Sequence, residues 1–269
     1  MILVSGGTGL VGSHLLLSLV RSGKKVRAIH RRNSDFAGVK SVFFADGETK
    51  EASALFNEVN WVEADITNIP SLEEAFSGIS VVYHCAALIS FDPAKNKLMR
   101  KINIEGTANI VNLCIKNKID KLCFVSSIAT FDLKLNEEQI SESSSWNGEK
   151  DHTVYAITKY GAEMEVWRAS QEGVSVTIVN PGLIIGPGFW DSGTGTMFKM
   201  IERGWKYHFP KISGFVGVED VVSIMRKLTE GNYSGEQVIA VSENKSFRDV
   251  LQQIARALNK PTPSIALKS

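Results

Sequence analysis

Apolar residues in this chain fall into short continuous runs that alternate with longer segments of helical spacing. Ile2 to Val4 is an aliphatic strand, and Leu15, Leu16, Leu17, Leu19 and Val20 behind it have the spacing of a buried helix. Lys25 to His30 reads as a second strand, with Arg31 to Asp35 as the turn leaving it. Helical spacing around Gly47 to Asn60 leads into a third strand, Asn60 to Asp65. Ser71 to Phe76 predicts a capped helix, with Ser71 as N-cap and Glu74 at the capping-box position. Ser80 to Cys85, Lys121 to Ser126 and Ser175 to Asn180 read as further strands, separated by long helices over Lys101 to Lys118 and around Tyr155 to Glu172. Strands this uniformly apolar belong to a parallel sheet covered by helices on both faces. The pattern therefore predicts an α/β protein with a doubly wound parallel sheet.

From Pro181 onward the pattern changes to Gly- and aromatic-rich sequence with short helices. The expected division is a main domain over 1–180 and a small C-terminal substrate-binding lobe over 181–269, with a late strand at 237–241 rejoining the sheet and a helix from Ser246 to Asn259. Phe91, Phe131, Phe189, Trp190, Met197 and Phe198 are candidates for an apolar pocket and equally for core. The ending at Pro261-Thr262-Pro263 reads as a truncation or a short version of a longer architecture.

Charge and cysteine usage narrow the class. With 30 Lys and Arg against 29 Asp and Glu, nothing favours a nucleic acid or an anionic membrane as partner. Cys85, Cys114 and Cys123 lie in apolar surroundings without metal-ligand spacing, so they read as reduced core residues. No run reaches 18 apolar residues and no leader pattern precedes the first strand, so the expectation is a soluble, cytoplasmic protein. His14, His30, His152 and His208 are dispersed and imply no metal, while His84, at the end of a buried strand, reads as a hydrogen-bonding core residue. Glu137, Glu138 and Glu142, in the loop before Tyr155, read as solvated.

The sharpest feature is Gly6-Gly7-Thr8-Gly9-Leu10-Val11-Gly12, placed between the first strand and the first helix. Glycine is needed there for the turn out of the strand, for close approach of a pyrophosphate and for tight packing of the helix, whose free amides face the phosphates. That context points to a Rossmann-type dinucleotide site. An NAD site places an acid at the end of the second strand, about 20 residues on. This chain has Arg31 and Arg32 there, a pair suited to the 2′-phosphate of NADP.

Tyr155 and Lys159 stand at i and i+4, on one helix face, and Ser127 ends the fifth strand, on the side where open α/β sheets bind ligands. Hydride transfer to a carbonyl carbon leaves an alkoxide, which a tyrosine can protonate. A nearby ammonium favours the phenolate, and a serine hydroxyl can hold the substrate oxygen.

Those residues make the chain resemble the extended short-chain dehydrogenase/reductases, in the branch of dihydroflavonol reductases and 3β-hydroxysteroid dehydrogenases. The likeness extends to Asp65-Ile66, to His84 through Ala87, to Asn103-Ile104-Glu105-Gly106-Thr107, to Asn180-Pro181-Gly182 and to Phe215 through Val221. By resemblance, the catalytic residues are Ser127, Tyr155 and Lys159. The cofactor would be held by Gly6, Thr8, Gly9, Leu10, Val11, Gly12, Arg31, Arg32, Asp65, Ile66, Ala86, Ala87, Pro181 and Leu183, together with Tyr155 and Lys159. The resemblance implies an NADP-dependent oxidoreductase interconverting a ketone or aldehyde and an alcohol, possessing a small-molecule substrate and pairing as a homodimer through two long helices. Two alternatives stand beside it: an NAD-dependent nucleotide-sugar epimerase or dehydratase, and a non-catalytic NADP-binding redox sensor. Ser5 in place of threonine and Asp132 after the serine depart from the family pattern.

Overall fold

A computed structural model of the chain describes residues 1–134 and 137–267. The first half runs β1 (Ile2–Ser5), α1 (Leu10–Arg21), β2 (Val26–His30), α2 (Ala37–Phe43), α3 (Lys50–Glu58), β3 (Asn60–Glu63), α4 (Ile69–Ala75), β4 (Val81–His84), α5 (Asn96–Arg100), α6 (Gly106–Lys116) and β5 (Lys121–Val125). The second runs α7 (Val154–Gln171), β6 (Ser175–Pro181), β7 (Leu183–Ile185), α8 (Gly195–Glu202), β8 (Tyr207–His208), β9 (Ile212–Gly217), α9 (Val218–Glu230), β10 (Glu236–Ala240), β11 (Glu243–Ser246), α10 (Phe247–Ala257) and β12 (Ile265–Ala266).

Seven strands form one parallel sheet in the order β10-β6-β5-β4-β1-β2-β3. The chain winds outward from β1 to β3, then crosses back to lay β4 on the other side of β1. That reversal opens a crevice at the C-terminal ends of β1 and β4, where α/β sheets of this type bind ligands. This is a Rossmann-type fold. One face packs α4, α6 and α7 over Leu3, Leu122, Phe124 and Ile178, and the other packs α1, α2 and α9 over Val4, Ala28, Cys123 and Val179. Both faces are covered, so the strands are apolar throughout.

A three-stranded sheet, β11-β9-β7, packs with α8 and α10 around Ile201, Phe215, Val250, Leu251 and Ile254. Met197 and Phe198 pack against that cluster, and Phe189 joins the sheet core and covers Gly38. Phe131 is also buried, whereas Phe91 is 89% exposed, so most of the candidate pocket aromatics serve as core. Cys114 and Cys123 are buried, Cys85 is half-buried, and all three are free thiols. Among the described residues no helix is long and apolar enough to cross a membrane.

Two local readings are corrected and one helix is added. α4 begins at Ile69, and its N-cap is Asn68, whose side chain accepts from the Ser71 amide at 3.2 Å; Ser71 lies inside the first turn, with Pro70 ahead of it. Pro tolerates an early helical position because its missing N–H has no partner there anyway. The long helix expected from Lys101 begins at Asn96, and a π-helical turn over Lys101–Glu105 joins α5 to α6. α2 went unread because its seven residues span barely two turns, too few for a periodic signal.

Candidate active site

Residues Gly6 to Gly12 leave β1 as a tight turn. Gly6 has φ +71°, and a side chain there would press within 2.6 Å of the Ala86 amide. A Cβ at Gly12 would collide with the Gly6 carbonyl, so α1 sits close against the turn. Gly9 differs: its nearest protein atom would stand 3.4 Å away, leaving its outer side open. Gly9 is also the N-cap of α1, with no side chain capping the helix and no acid in its first turn. The first helical amides thus present positive charge to the crevice without an internal partner.

A cleft of about 250 Å³ opens from this turn and is lined by Gly6, Thr8 and Gly9, by Arg31, by Asp65 and Ile66, and by Cys85 to Leu88. A second hollow continues it past Arg31, Arg32 and Asn33 to Glu63, Asp65, Asn68 and Ser71. Arg31 and Arg32 are exposed, and neither has a carboxylate within 4 Å among the described residues. Asp65 accepts from the Thr67 amide at 2.8 Å and the Thr67 hydroxyl at 2.7 Å, which fixes the carboxylate at the rim. Ile66 is packed beneath it on Gly106, where a Cβ would meet its Cδ1 at 2.6 Å. Leu10, Val11 and Gly12 begin α1 and support the turn behind the lining.

Ser127, Tyr155 and Lys159 lie beyond this cleft, at the ends of β5 and along α7. Ser127 follows β5 and its hydroxyl accepts from the Ala129 amide at 3.2 Å, opening a short 3-10 turn. Burial pushes the Tyr155 phenol up, opposed by the Ser127 hydroxyl against it. Lys159 is 2% exposed; its Nζ donates to the Val125 carbonyl at 2.8 Å and stands 4.2 Å from the centre of the Phe124 ring. Burial holds the ammonium down to about 8, while the Glu163 carboxylate works to raise it. The Lys159 ammonium is thus held against the end of β5, one helical turn along α7 from Tyr155. Pro181 ends β6, and Leu183 begins β7 and leans on the smaller core.

Polar side chains tie the two regions together. Asn103, in the π-helical turn, accepts from the Leu88 amide at 2.7 Å and donates to the Leu88 carbonyl at 2.9 Å, fixing the far wall of the cleft. Its Nδ2 also donates to the Thr158 hydroxyl at 2.9 Å, and Thr158 donates to the Tyr155 carbonyl. His84 is fully buried, between Ser5 on Nδ1 and Thr107 on Nε2. Thr107 gives its own hydrogen to the Asn103 carbonyl at 2.6 Å, so Nε2 carries the proton and Nδ1 accepts from Ser5. Burial and the nearby Lys159 charge lower His84 to about 3, so it is a neutral bracing group, as its position in the sequence suggested.

One group was missed from the sequence. Glu163 is 3% exposed and accepts from the Thr130 hydroxyl at 2.8 Å and from Asn180 Nδ2 at 2.7 Å. The available signal was its spacing, one helical turn beyond Lys159 and two beyond Tyr155. The loop glutamates also divide: Glu142 is exposed but accepts from the Ile239 amide at 2.9 Å, on the open edge of β10.

Residues 2–240 match the model of the family described as NAD dependent epimerase/dehydratase. The chain belongs to this family. Its members act on CH–OH and carbonyl groups, and the sequence-level resemblance to extended short-chain dehydrogenase/reductases holds. The chain is similar to sterol demethylase protein B of Methylococcus capsulatus, 27% identical over 98% of this chain and 76% of that protein. It is also similar to a putative dihydroflavonol 4-reductase of Synechocystis, 27% identical over 97% of this chain and 73% of that one. Among solved structures, gox2253 matches with a TM-score of 0.86 at 25% identity, covering 100% of this chain and 78% of that one. UDP-glucose 4-epimerase of Thermus thermophilus, in complex with NAD, shares the fold at a TM-score of 0.79 and 20% identity, over 100% of this chain and 86% of that one.

Proposed function

We propose that the protein is an NADP-dependent reductase of ketones or aldehydes, equivalently a secondary-alcohol dehydrogenase. The observation that carries this reading is a pair of guanidinium groups, Arg31 and Arg32, with no carboxylate partner among the described residues, at the end of the dinucleotide cleft, where an NAD site needs a carboxylate on the ribose. A 2′-phosphate between them gains charge-assisted, bidentate hydrogen bonds. The open side of Gly9 and the uncapped start of α1 fit a pyrophosphate, and Asp65 over Ile66 fits the edge and face of adenine.

The nicotinamide, when bound, supplies the hydride. The Ser127 hydroxyl orients the substrate oxygen, and the Tyr155 phenol gives its proton to the alkoxide as the C–H bond forms. The raised phenol keeps Tyr155 protonated at neutral pH, and the Ser127 hydroxyl against it works to bring it back down. Lys159 would hold the nicotinamide ribose and bring its charge to the same space. The names of relatives that are reductases support this direction.

The test is side-by-side titration with NADPH and NADH, followed by nicotinamide fluorescence. Tighter binding of NADPH is expected, and Arg31→Ala/Arg32→Ala should reduce that preference by about tenfold or more, the loss of 1.4 kcal/mol or more of phosphate binding. Equal binding of the two by the parent protein would refute the assignment. It would favour the NAD-dependent epimerase reading, for which the likeness to a Vibrio cholerae UDP-glucose 4-epimerase is the supporting observation.

A further inference from the structure

We propose that Glu163 is a positioning residue of this site, a buried carboxylate that anchors the Ser127 segment and holds the Lys159 ammonium charged. The inference rests on the reading of Ser127, Tyr155 and Lys159 as the reacting centre. Burying a carboxylate and an ammonium under the same helix is expensive, and an apolar pair of similar volume often stabilises a fold more. The expense is explained if both charges are needed where they are.

Geometry assigns Glu163 two tasks. The Asn180 amide is oriented by Gln237, whose Nε2 donates to Asn180 Oδ1 at 3.1 Å, so Asn180 Nδ2 faces the carboxylate. That Nδ2 also lies 3.0 Å from the Ser127 carbonyl and 3.0 Å from the Thr130 hydroxyl. One carboxylate therefore holds β6 against the turn that begins at Ser127. Its second task concerns Lys159, one helical turn earlier. Lys159 Nζ is bonded to Val125 and Glu163 to Thr130 and Asn180, so the two attract through space rather than through a shared hydrogen bond.

Every other group around the ammonium leaves that task to Glu163. From β5 it faces the Phe124 ring and the Val125 carbonyl, and from the end of β4 Cys85 and His84; Tyr155 stands one helical turn before it on its own helix. Burial keeps Cys85 and Tyr155 protonated and His84 neutral, so none of the three brings a negative charge at pH 7. Glu163 is the compensating anion. Without it, Lys159 would lose its proton at lower pH, and a neutral amine neither favours the phenolate of Tyr155 nor carries charge to the ribose.

The test separates charge from shape. Glu163→Gln keeps an oxygen for Thr130 and Asn180 but removes the charge, whereas Glu163→Asp keeps the charge and withdraws the oxygens. With ε-13C-labelled lysine, and Lys159 assigned through Lys159→Arg, the midpoint of its titration is followed by NMR in protein without cofactor. In Glu163→Gln the midpoint should fall by about one pH unit or more, with Tm near the parent value. In Glu163→Asp the midpoint should stay near the parent while Tm falls. The alkaline limb of NADPH-dependent carbonyl reduction should move with the midpoint. Glu163→Met, which fills the volume without charge, is the reserve variant if the glutamine variant does not accumulate, with the same expected fall. An unmoved midpoint in the uncharged variants overturns the proposal. Because the lysine titration is read without substrate or cofactor, it stands even if the protein proves not to reduce carbonyls.

Discussion

A methyl group added at Gly12 would collide with the Gly6 carbonyl, whereas at Gly9 it would meet that oxygen at 3.4 Å, an ordinary contact. Gly12 is thus required by the packing of α1, whereas the protein leaves room for a methyl group at Gly9, where the proposed function places a pyrophosphate. Gly12→Ala should cost about 1–3 kcal/mol of stability through overpacking. Gly9→Ala should leave Tm nearly unchanged and weaken nicotinamide-cofactor binding; thermal melts and fluorescence titration of both variants check this, and the reverse pattern would remove the phosphate role from Gly9. Both glycines were readable from spacing, but their different reasons were not, because spacing records the identity of a residue and not what stands opposite its missing side chain. Glu163 shows the same limit. Its sequence position marks a helix face shared with Tyr155 and Lys159, yet a glutamate there is ordinarily solvated, and only the approach of Asn180 and Thr130 from other elements gives its side chain partners inside the fold.

At the scale of elements, alternating strands and helices were legible because buried parallel strands and amphipathic helices carry strong, different periodicities. Ends were less legible. Ser71 and Asn68 both precede an apolar run and both are good N-caps, and the choice fell to Asn68 because the helix starts at Ile69-Pro70. Asn68→Ala should cost about 1 kcal/mol, the usual loss on removing such a cap. Ser71→Ala, which removes only a donation to the Asn68 carbonyl and a 3.4 Å contact to the Asp65 amide, should cost less; urea unfolding of the two variants decides. The π-helical turn at Lys101–Glu105 left no periodic trace, since one extra residue in a turn shifts the phase of an otherwise regular stripe. It nonetheless carries Asn103, which joins the cleft wall to α7.

At the scale of the molecule, the buried polar groups between the two faces of the sheet give folding a pH dependence. His84 is held far below its ordinary value of 6.5 by burial, so the unfolded chain takes up a proton that the folded one refuses. The stability it confers is complete above pH 6.5 and declines as pH falls toward about 3, with a slope near 1.4 kcal/mol per pH unit for one proton. Tm should accordingly fall between pH 6.5 and 4.5, and His84→Gln should flatten that fall while lowering Tm at neutral pH through the disturbed bonds to Ser5 and Thr107. A slope unchanged in the variant would assign the acid sensitivity elsewhere.

The sequence by itself determined the class of fold, the glycine turn, the arginine pair and the helix face shared by Tyr155 and Lys159, because each is written in local periodicity or in residues a few positions apart; Ser127 was reached only as the expected end of the fifth strand. Tertiary structure alone decided which aromatics of the C-terminal segment are core, that His84 bridges Ser5 and Thr107, that Lys159 is fully enclosed, and that Glu163 faces the same space. Those facts depend on residues far apart in the chain meeting in the fold, Phe189 on Gly38 and Ser5 on His84 among them, where burial removes water and lets charges and hydrogen bonds between distant residues set one another's state.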